Sequence, residues 1–178
     1  MKQLLAAAFA VFALGATAPT YAAEPADLAL VLAADVSRSI NQEEFELQRR
    51  GYAAALTDPR VVKAIRSGPL GAIAICYLEW ASDNEQMVIA DWTVVRDDES
   101  AGVIAGTILA APRSFFGRTA IGTAIDFAMD QFGRATVEAT RKIIDVSGDG
   151  TSNAGRPVTF LHILRPLPPF PPGDGQKS

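Results

Sequence analysis

A chain of 178 residues has room for one ordinary domain and hardly for two. Apolar residues make up 49 %, enough for a hydrophobic core, and a net charge of −4 argues against a nucleic-acid partner, which needs clustered Lys and Arg. A single cysteine (Cys76) and a single histidine (His162) exclude a disulfide framework and a His-based zinc site, and exclude a Ser-His-Asp triad unless His162 alone serves.

The chain opens with Lys2 and an uncharged apolar run from Leu4 to Leu14. That run is shorter than the roughly 20 residues a bilayer span needs. Gly15, Pro19 and the small-residue stretch Thr20-Tyr21-Ala22-Ala23 follow, which completes the layout of a secretory signal peptide. Residues 1–22 are therefore predicted to be removed, with cleavage near Ala22 and export to the periplasm or beyond; an uncleaved anchor is the alternative. No later segment is long and apolar enough to span a membrane. Cys76 lies in the apolar run from Gly71 to Leu78 and is read as a small core residue with no redox role.

The apolar stretch Leu28 to Ala34 predicts a strand buried on both faces. Asp35 ends it, and the polar loop Ser37-Arg38-Ser39 follows. Asn41 caps a helix reaching about Thr57, with Glu43 and Glu44 in its first turn and Phe45, Gln48, Tyr52 and Leu56 on one face. Asp58-Pro59 breaks it, and Val61 to Arg66 reads as a short second helix. Leu70 to Trp80 and Gln86 to Val95 predict two strands joined by the turn Ser82-Asp83-Asn84, an antiparallel hairpin.

Asp97 to Ser100 opens a helix running to about Leu109, and Pro112 to Arg118 is a loop. A further helix starts at Thr119, with Ile121, Ile125, Ala128, Met129 and Phe132 as its apolar face. Arg141 to Val146 is the fourth strand, followed by a polar loop from Ser147 to Gly155. Residues 160–178 hold a proline-rich run from Pro166 to Pro172 and read as extended and disordered. The order β-α-β-β-α-α-β predicts an α/β, doubly wound, mostly parallel sheet with one antiparallel hairpin at an edge. Ligands of such sheets bind beyond the carboxyl ends of the strands. The loops carrying Asp35, Thr119 and Asp149 all fall there.

Asp35-Val-Ser37-Arg-Ser39 offers oxygen donors at alternate positions, which an extended loop points the same way. Thr119 adds a hydroxyl and Asp149 a second carboxylate. An all-oxygen set suits Mg²⁺, Ca²⁺ or Mn²⁺ rather than zinc or copper. Two carboxylates nearly neutralise a divalent ion, and the set leaves room for water and an exchangeable position. The plainer reading is that Asp35, Ser37, Ser39 and Thr119 only cap helices. Asp145-x-Ser147-x-Asp149-Gly150 imitates the start of an EF-hand loop, but the twelfth position is Arg156 where a bidentate Glu is needed, so that reading is rejected. Arg38 and Arg118 flank the set, either as solvated charges or as attractors of an acidic partner.

Asp35-x-Ser-x-Ser, Gly117-Arg-Thr119-Ala-Ile-Gly122 and Ser147-Gly-Asp149-Gly150 resemble, in order, the three segments of the metal-ion-dependent adhesion site of von Willebrand factor A domains. Trp80 and the run Ala90-Asp91-Trp92-Thr93-Val94, together with the signal peptide, resemble an exported bacterial branch of that superfamily. The resemblance covers about Asp27 to Thr159. It implies a metal-dependent protein-binding module and not an enzyme, with Mg²⁺ as the first candidate ion and Mn²⁺ or Ca²⁺ as the others. Ser37, Ser39 and Thr119 are implied as direct ligands, and Asp35 and Asp149 as ligands directly or through water. An Asp or Glu carboxylate of another protein is implied as the group that completes the site. The pattern departs from the superfamily after Thr159, where further helix–strand units are expected, so the sheet is predicted to be truncated after the fourth strand.

Two other readings remain. Asp35 at a strand end and Gly148-Asp149-Gly150-Thr151-Ser152-Asn153 also resemble a haloacid dehalogenase-like phosphatase, with Asp35 as nucleophile and Asp149 on Mg²⁺. That family needs a second Asp as general acid where this chain has Ser37. The third reading is a truncated remnant without function.

Overall fold

The computed structural model describes residues 23–158. The segments read as a signal peptide (1–22) and as a proline-rich tail (160–178) lie outside them, as does the point at which the sheet pattern was expected to break off. In chain order the elements are β1 (Glu24–Ala26), β2 (Leu28–Asp35), α1 (Gln42–Leu56), α2 (Pro59–Arg66), β3 (Ile73–Trp80), β4 (Gln86–Val95), α3 (Asp98–Ala110), α4 (Ile121–Arg134), β5 (Val137–Ala139) and β6 (Lys142–Ser147).

Four strands form the main sheet in the order β4-β3-β2-β6. β2 runs parallel to both β3 and β6, and β4 lies antiparallel to β3 at one edge. This is the expected mostly parallel sheet with an antiparallel edge hairpin. Its central strands are apolar on both faces because helices cover both. On one face Leu32, Ala34, Ile75 and Tyr77 pack against Leu56 of α1, Val62 and Ile65 of α2, and Ile104 and Ile108 of α3. On the other face Val31, Ala33, Cys76, Leu78 and Trp80 pack against Ala124 and Ala128 of α4. Cys76 is fully buried, and burial pushes its thiol up to about 12, as befits an inert core residue.

Several details differ from the sequence-based expectation. A second, two-stranded parallel sheet joins β1 to β5; three-residue strands carry no periodicity to read. Asp58-Pro59 is the start of α2 rather than a mere break: Asp58 is its N-cap and Pro59 opens the first turn. β3 begins at Ile73 rather than Leu70, because the chain turns at Gly71 with φ +64°. The buried residues of α1 are Phe45, Arg49, Ala53 and Leu56, and those of α4 are Gly122, Ala124, Ala128 and Gln131. α4 thus presents small residues to the sheet. Of the larger apolar residues assigned to its inner face, Ile121 and Phe132 flank the contact instead. A Cβ at position 122 would collide with the Arg156 carbonyl, so only glycine admits the loop that follows β6. Among the described residues no helix is long and apolar enough to cross a membrane.

Candidate metal centre

The site stands at the carboxyl ends of β2 and β6. The ends of β2 and β3 are fastened together: the Trp80 indole donates to the Ala33 carbonyl at 3.1 Å, and the Val36 amide donates to the Trp80 carbonyl at 2.9 Å. Asp35 is thereby fixed as the last residue of β2. Its Oδ1 accepts from the Ser37 amide at 2.7 Å, which turns the chain over its own carboxylate. The alternate donors then fall together, with Ser37 Oγ and Ser39 Oγ 3.0 Å apart. Ser39 Oγ donates to Asp149 Oδ1 at 2.9 Å, and Thr119 Oγ1 lies 3.4 Å from Ser37 Oγ. All five residues singled out from the sequence meet in one cluster.

Helix capping does not account for them. α1 is capped by Asn41, whose side chain accepts from the Glu44 amide at 3.0 Å. α4 begins at Ile121 without a side-chain cap, so Thr119 stands outside it and aims its hydroxyl at Ser37. Asp35, Ser37 and Thr119 are 0 %, 1 % and 4 % exposed, which is unusual for capping groups and ordinary for a built polar site.

One atom tests whether a cation fits. Asp35 Oδ2 is buried and has no hydrogen-bond partner. Burial is the main cause that raises the Asp35 carboxyl above the usual range; Ser37 hydrogen bonds oppose it, and the charge of Asp149 adds to it. A buried carboxylate oxygen without a donor is costly. A hard divalent cation among Asp35, Asp149 and three hydroxyls would remove that cost. A Cβ added to Gly148 would come to 3.0 Å from Asp35 Oδ2, so glycine there keeps the approach to that oxygen clear of a side chain. Among the described residues no three His, Cys, Asp or Glu side chains gather as a metal cluster, so the hydroxyls are essential to the fit. Position 37, where a phosphatase of the kind considered above needs a carboxyl acid, offers only a buried hydroxyl.

A polar scaffold stands behind the donors, and the sequence reading missed it. The Arg113 Nη2 donates to the carbonyls of Val36, Ser37 and Ile40 at 2.8, 2.9 and 2.8 Å, clamping the turn that carries Ser37 and Ser39. Its guanidinium sits 4.1 Å from the centre of the Phe116 ring. The segment holding Arg113 is anchored in turn by a buried ion pair, in which Arg49 Nε donates to Glu79 Oε1 at 2.8 Å. Glu79 Oε2 accepts from Ser114 Oγ at 2.9 Å, and Arg49 also donates to the carbonyls of Ala111 and Pro112. On the far side Asn153 holds Thr119: its Oδ1 accepts from the Thr119 amide at 3.0 Å, and its own amide donates to the Thr119 carbonyl at 2.8 Å.

Arg38 and Arg118 line a cleft of about 380 Å³ together with Ser39, Thr119, Thr151 and Asn153. Glu44, Gln48 and Asp149 line a second, smaller cleft of about 250 Å³.

A β4-β3-β2-β6 sheet covered on both faces, with this polar cluster at its carboxyl end, is a von Willebrand factor A-like fold. The chain belongs to the family described as "Protein of unknown function (DUF1194)", whose model matches residues 25–163. Proximal thread matrix protein 1 from the mussel byssus shares the fold at a TM-score of 0.59 and 19 % identity, over 79 % of this chain and 36 % of that one. The minor pilin PilB from Streptococcus sanguinis does so at 0.54 and 18 %, over 70 % and 30 %. The vWF domain of the type V pili tip protein Mfa5 from Porphyromonas gingivalis matches at 0.48 and 15 %, over 71 % and 39 %. The chain therefore spans well under half the length of these solved chains. None of the curated proteins matches the sequence.

Proposed function

We propose that this chain is an exported, metal-dependent protein-binding module and not an enzyme. In this reading Asp35, Ser37, Ser39, Thr119 and Asp149 hold one divalent cation, with Mg²⁺ as the first fit and Mn²⁺ or Ca²⁺ as the others. The observation that carries it is Asp35 Oδ2, a buried carboxylate oxygen with no donor, set among three hydroxyls and a second carboxylate. When bound, the cation supplies an open coordination position that the Asp or Glu carboxylate of another protein completes. The chain's own residues do the rest. Arg113 and Asn153 fix the two turns, Asp35 supplies most of the buried negative charge, and exposed Asp149 closes the side facing solvent. Without the cation, Asp35 and Asp149 repel an incoming carboxylate. Two proteins that share the fold are named for a byssus and a pilus, which supports a role outside the cell.

The test is a melting curve of the purified chain with and without Mg²⁺ or Mn²⁺. A ligand that binds only the native state raises the melting temperature. Asp35→Ala combined with Asp149→Ala is expected to abolish that rise. A metal response that survives in the double variant would place the site elsewhere and sink the proposal. Export has its own check: mass spectrometry of periplasmic protein is expected to give an N-terminus near Ala23, and intact Met1 on soluble cytoplasmic protein would contradict it.

A further inference from the structure

We infer that the partner segment presents two neighbouring carboxylates, one to the cation position and the second to the cleft lined by Arg38 and Arg118. The inference rests on the metal-site reading above and deepens it by naming the chemistry of the partner: an acidic peptide segment with paired Asp or Glu.

The cleft opens directly onto the cluster, because Ser39 and Thr119 line both. Each arginine is the chain neighbour of a donor. Arg38 lies between Ser37 and Ser39, and Arg118 precedes Thr119, so the turns that place the hydroxyls also place the guanidiniums. Those turns are tied to each other where the Arg38 amide donates to the Gly117 carbonyl at 2.9 Å. Arg118 Nη2 donates to the Asn153 carbonyl at 2.7 Å, which steadies its side chain and leaves other N–H groups of the fork to donate outward. Among the described residues the Arg38 side chain makes no ion pair. Guanidinium forks of this kind match carboxylate geometry.

Charge sets the direction. Among the described residues no acidic side chain lines the arginine cleft, although the Glu85 carboxylate abuts Gly117 at its wall. The second cleft, lined by different residues, carries Glu44 and Asp149. A segment whose first carboxylate completes the cation site is therefore repelled on the Glu44 side and drawn to the Arg38 side by its second. Alternate residues of an extended segment put two side chains on one face roughly 7 Å apart, so a short strand can serve both positions at once.

The experiment measures binding of two synthetic peptides to the full chain in saturating Mn²⁺ at low salt, by calorimetry. One is Gly-Gly-Glu-Gly-Gln-Gly-Gly, and the other replaces the Gln by Glu. The two-acid peptide is expected to bind about tenfold tighter, the order a charge-assisted hydrogen-bonded contact gives. That ratio is expected to shrink as salt rises. Arg38→Gln is expected to bring it close to one, and Arg38→Lys to keep part of it. Arg134→Gln, the same charge change at an exposed position at the end of α4, is the control and is expected to leave the ratio unaltered. Equal affinities in the wild type, or a ratio unmoved by both Arg38→Gln and Arg118→Gln, would overturn the inference and leave the metal-site reading standing. A chain that Mn²⁺ stabilises but that binds neither peptide would overturn the carboxylate-binding reading, and the inference with it.

Discussion

The two carboxylates of the candidate centre stand in opposite surroundings. Asp35 ends β2, an inner strand flanked by β3 and β6, and is fully buried. Asp149 follows β6, the outer strand of the sheet among the described residues, and is exposed. β3, on the other side of β2, is buried along nearly its whole length, whereas Lys142, Ile143 and Asp145 of β6 are exposed. Half of the site is thus preformed by packing and a buried polar scaffold. The Asp149 side chain is instead held by a single hydrogen bond, from Ser39, although Asn153 ties the loop that carries it to Thr119.

The largest expected effect breaks the preformed half. Glu79→Ala leaves Arg49 buried with a charge and no counter-ion, and frees the segment that carries Arg113. Removing one partner of a buried pair typically costs about 3–5 kcal/mol. Denaturant unfolding of the variant is expected to show a loss of that order. Replacing both partners with apolar residues of similar volume is expected to cost far less, because no charge is stranded. A loss below about 1 kcal/mol for Glu79→Ala would show that the scaffold is not what orders this half.

A middle-sized effect contrasts the two carboxylates directly. Asp35→Asn removes a buried charge that the fold holds above its usual pKa, mainly through burial. Because the folded state disfavours that charge, the metal-free variant is expected to be more stable than the wild type at neutral pH, where the unfolded carboxyl is ionised. It is also expected to lose the thermal response to Mn²⁺. Asp149→Asn is exposed and is expected to leave metal-free stability nearly unchanged while losing the same response. Melting curves of both variants with and without Mn²⁺ decide it. If Asp35→Asn is destabilised without metal, Oδ2 has a stabilising partner in solution and the argument for a cation weakens.

This contrast also explains what was legible in the sequence. The donors were legible because they repeat at alternate positions after an apolar strand and in two further loops at strand or helix ends. The sheet was legible because β2 and β3 are apolar runs set between helices and β6 carries the β-branched Ile143, Ile144 and Val146. The scaffold was not, because its bonds join residues far apart in the chain and run to backbone carbonyls, which have no sequence signature. Arg113 reaches Val36, Ser37 and Ile40 from a loop that reads only as a connection. One trace was present: Glu79 is the sole charge in Ile73–Trp80, an otherwise apolar strand, and a charge there demands a partner. The inner faces of α1 and α4 were legible only in part, through Phe45, Leu56 and Ala128, for a related reason. A buried Arg49 reads as polar, and the Gly and Ala of α4 read as filler, although small residues are what allow close approach to the sheet.

The smallest expected effect lies on β6. The register sets Ile143 opposite Leu30 and Ile144 opposite Val31, so the two isoleucines point to different faces of the sheet. Ile144 packs with Val31, Leu78 and α4, while Ile143 is 38 % exposed. Thr keeps the β-branch that suits a strand and replaces the ethyl arm of Ile with a hydroxyl. At Ile144 the change introduces a hydroxyl into a packed cluster, and about 1 kcal/mol or more is expected. At Ile143 the same change meets solvent, and an effect within about 0.5 kcal/mol is expected. Denaturant midpoints of the two single variants, compared at equal protein concentration, test this. A cost at Ile143 equal to that at Ile144 would show that this edge is covered in solution. Dependence of that cost on protein concentration would then identify the cover as a second molecule, because only association responds to mass action. In that event Asp149 would share the preformed character of Asp35, and the division of the site into a fixed and an adjustable half would fall.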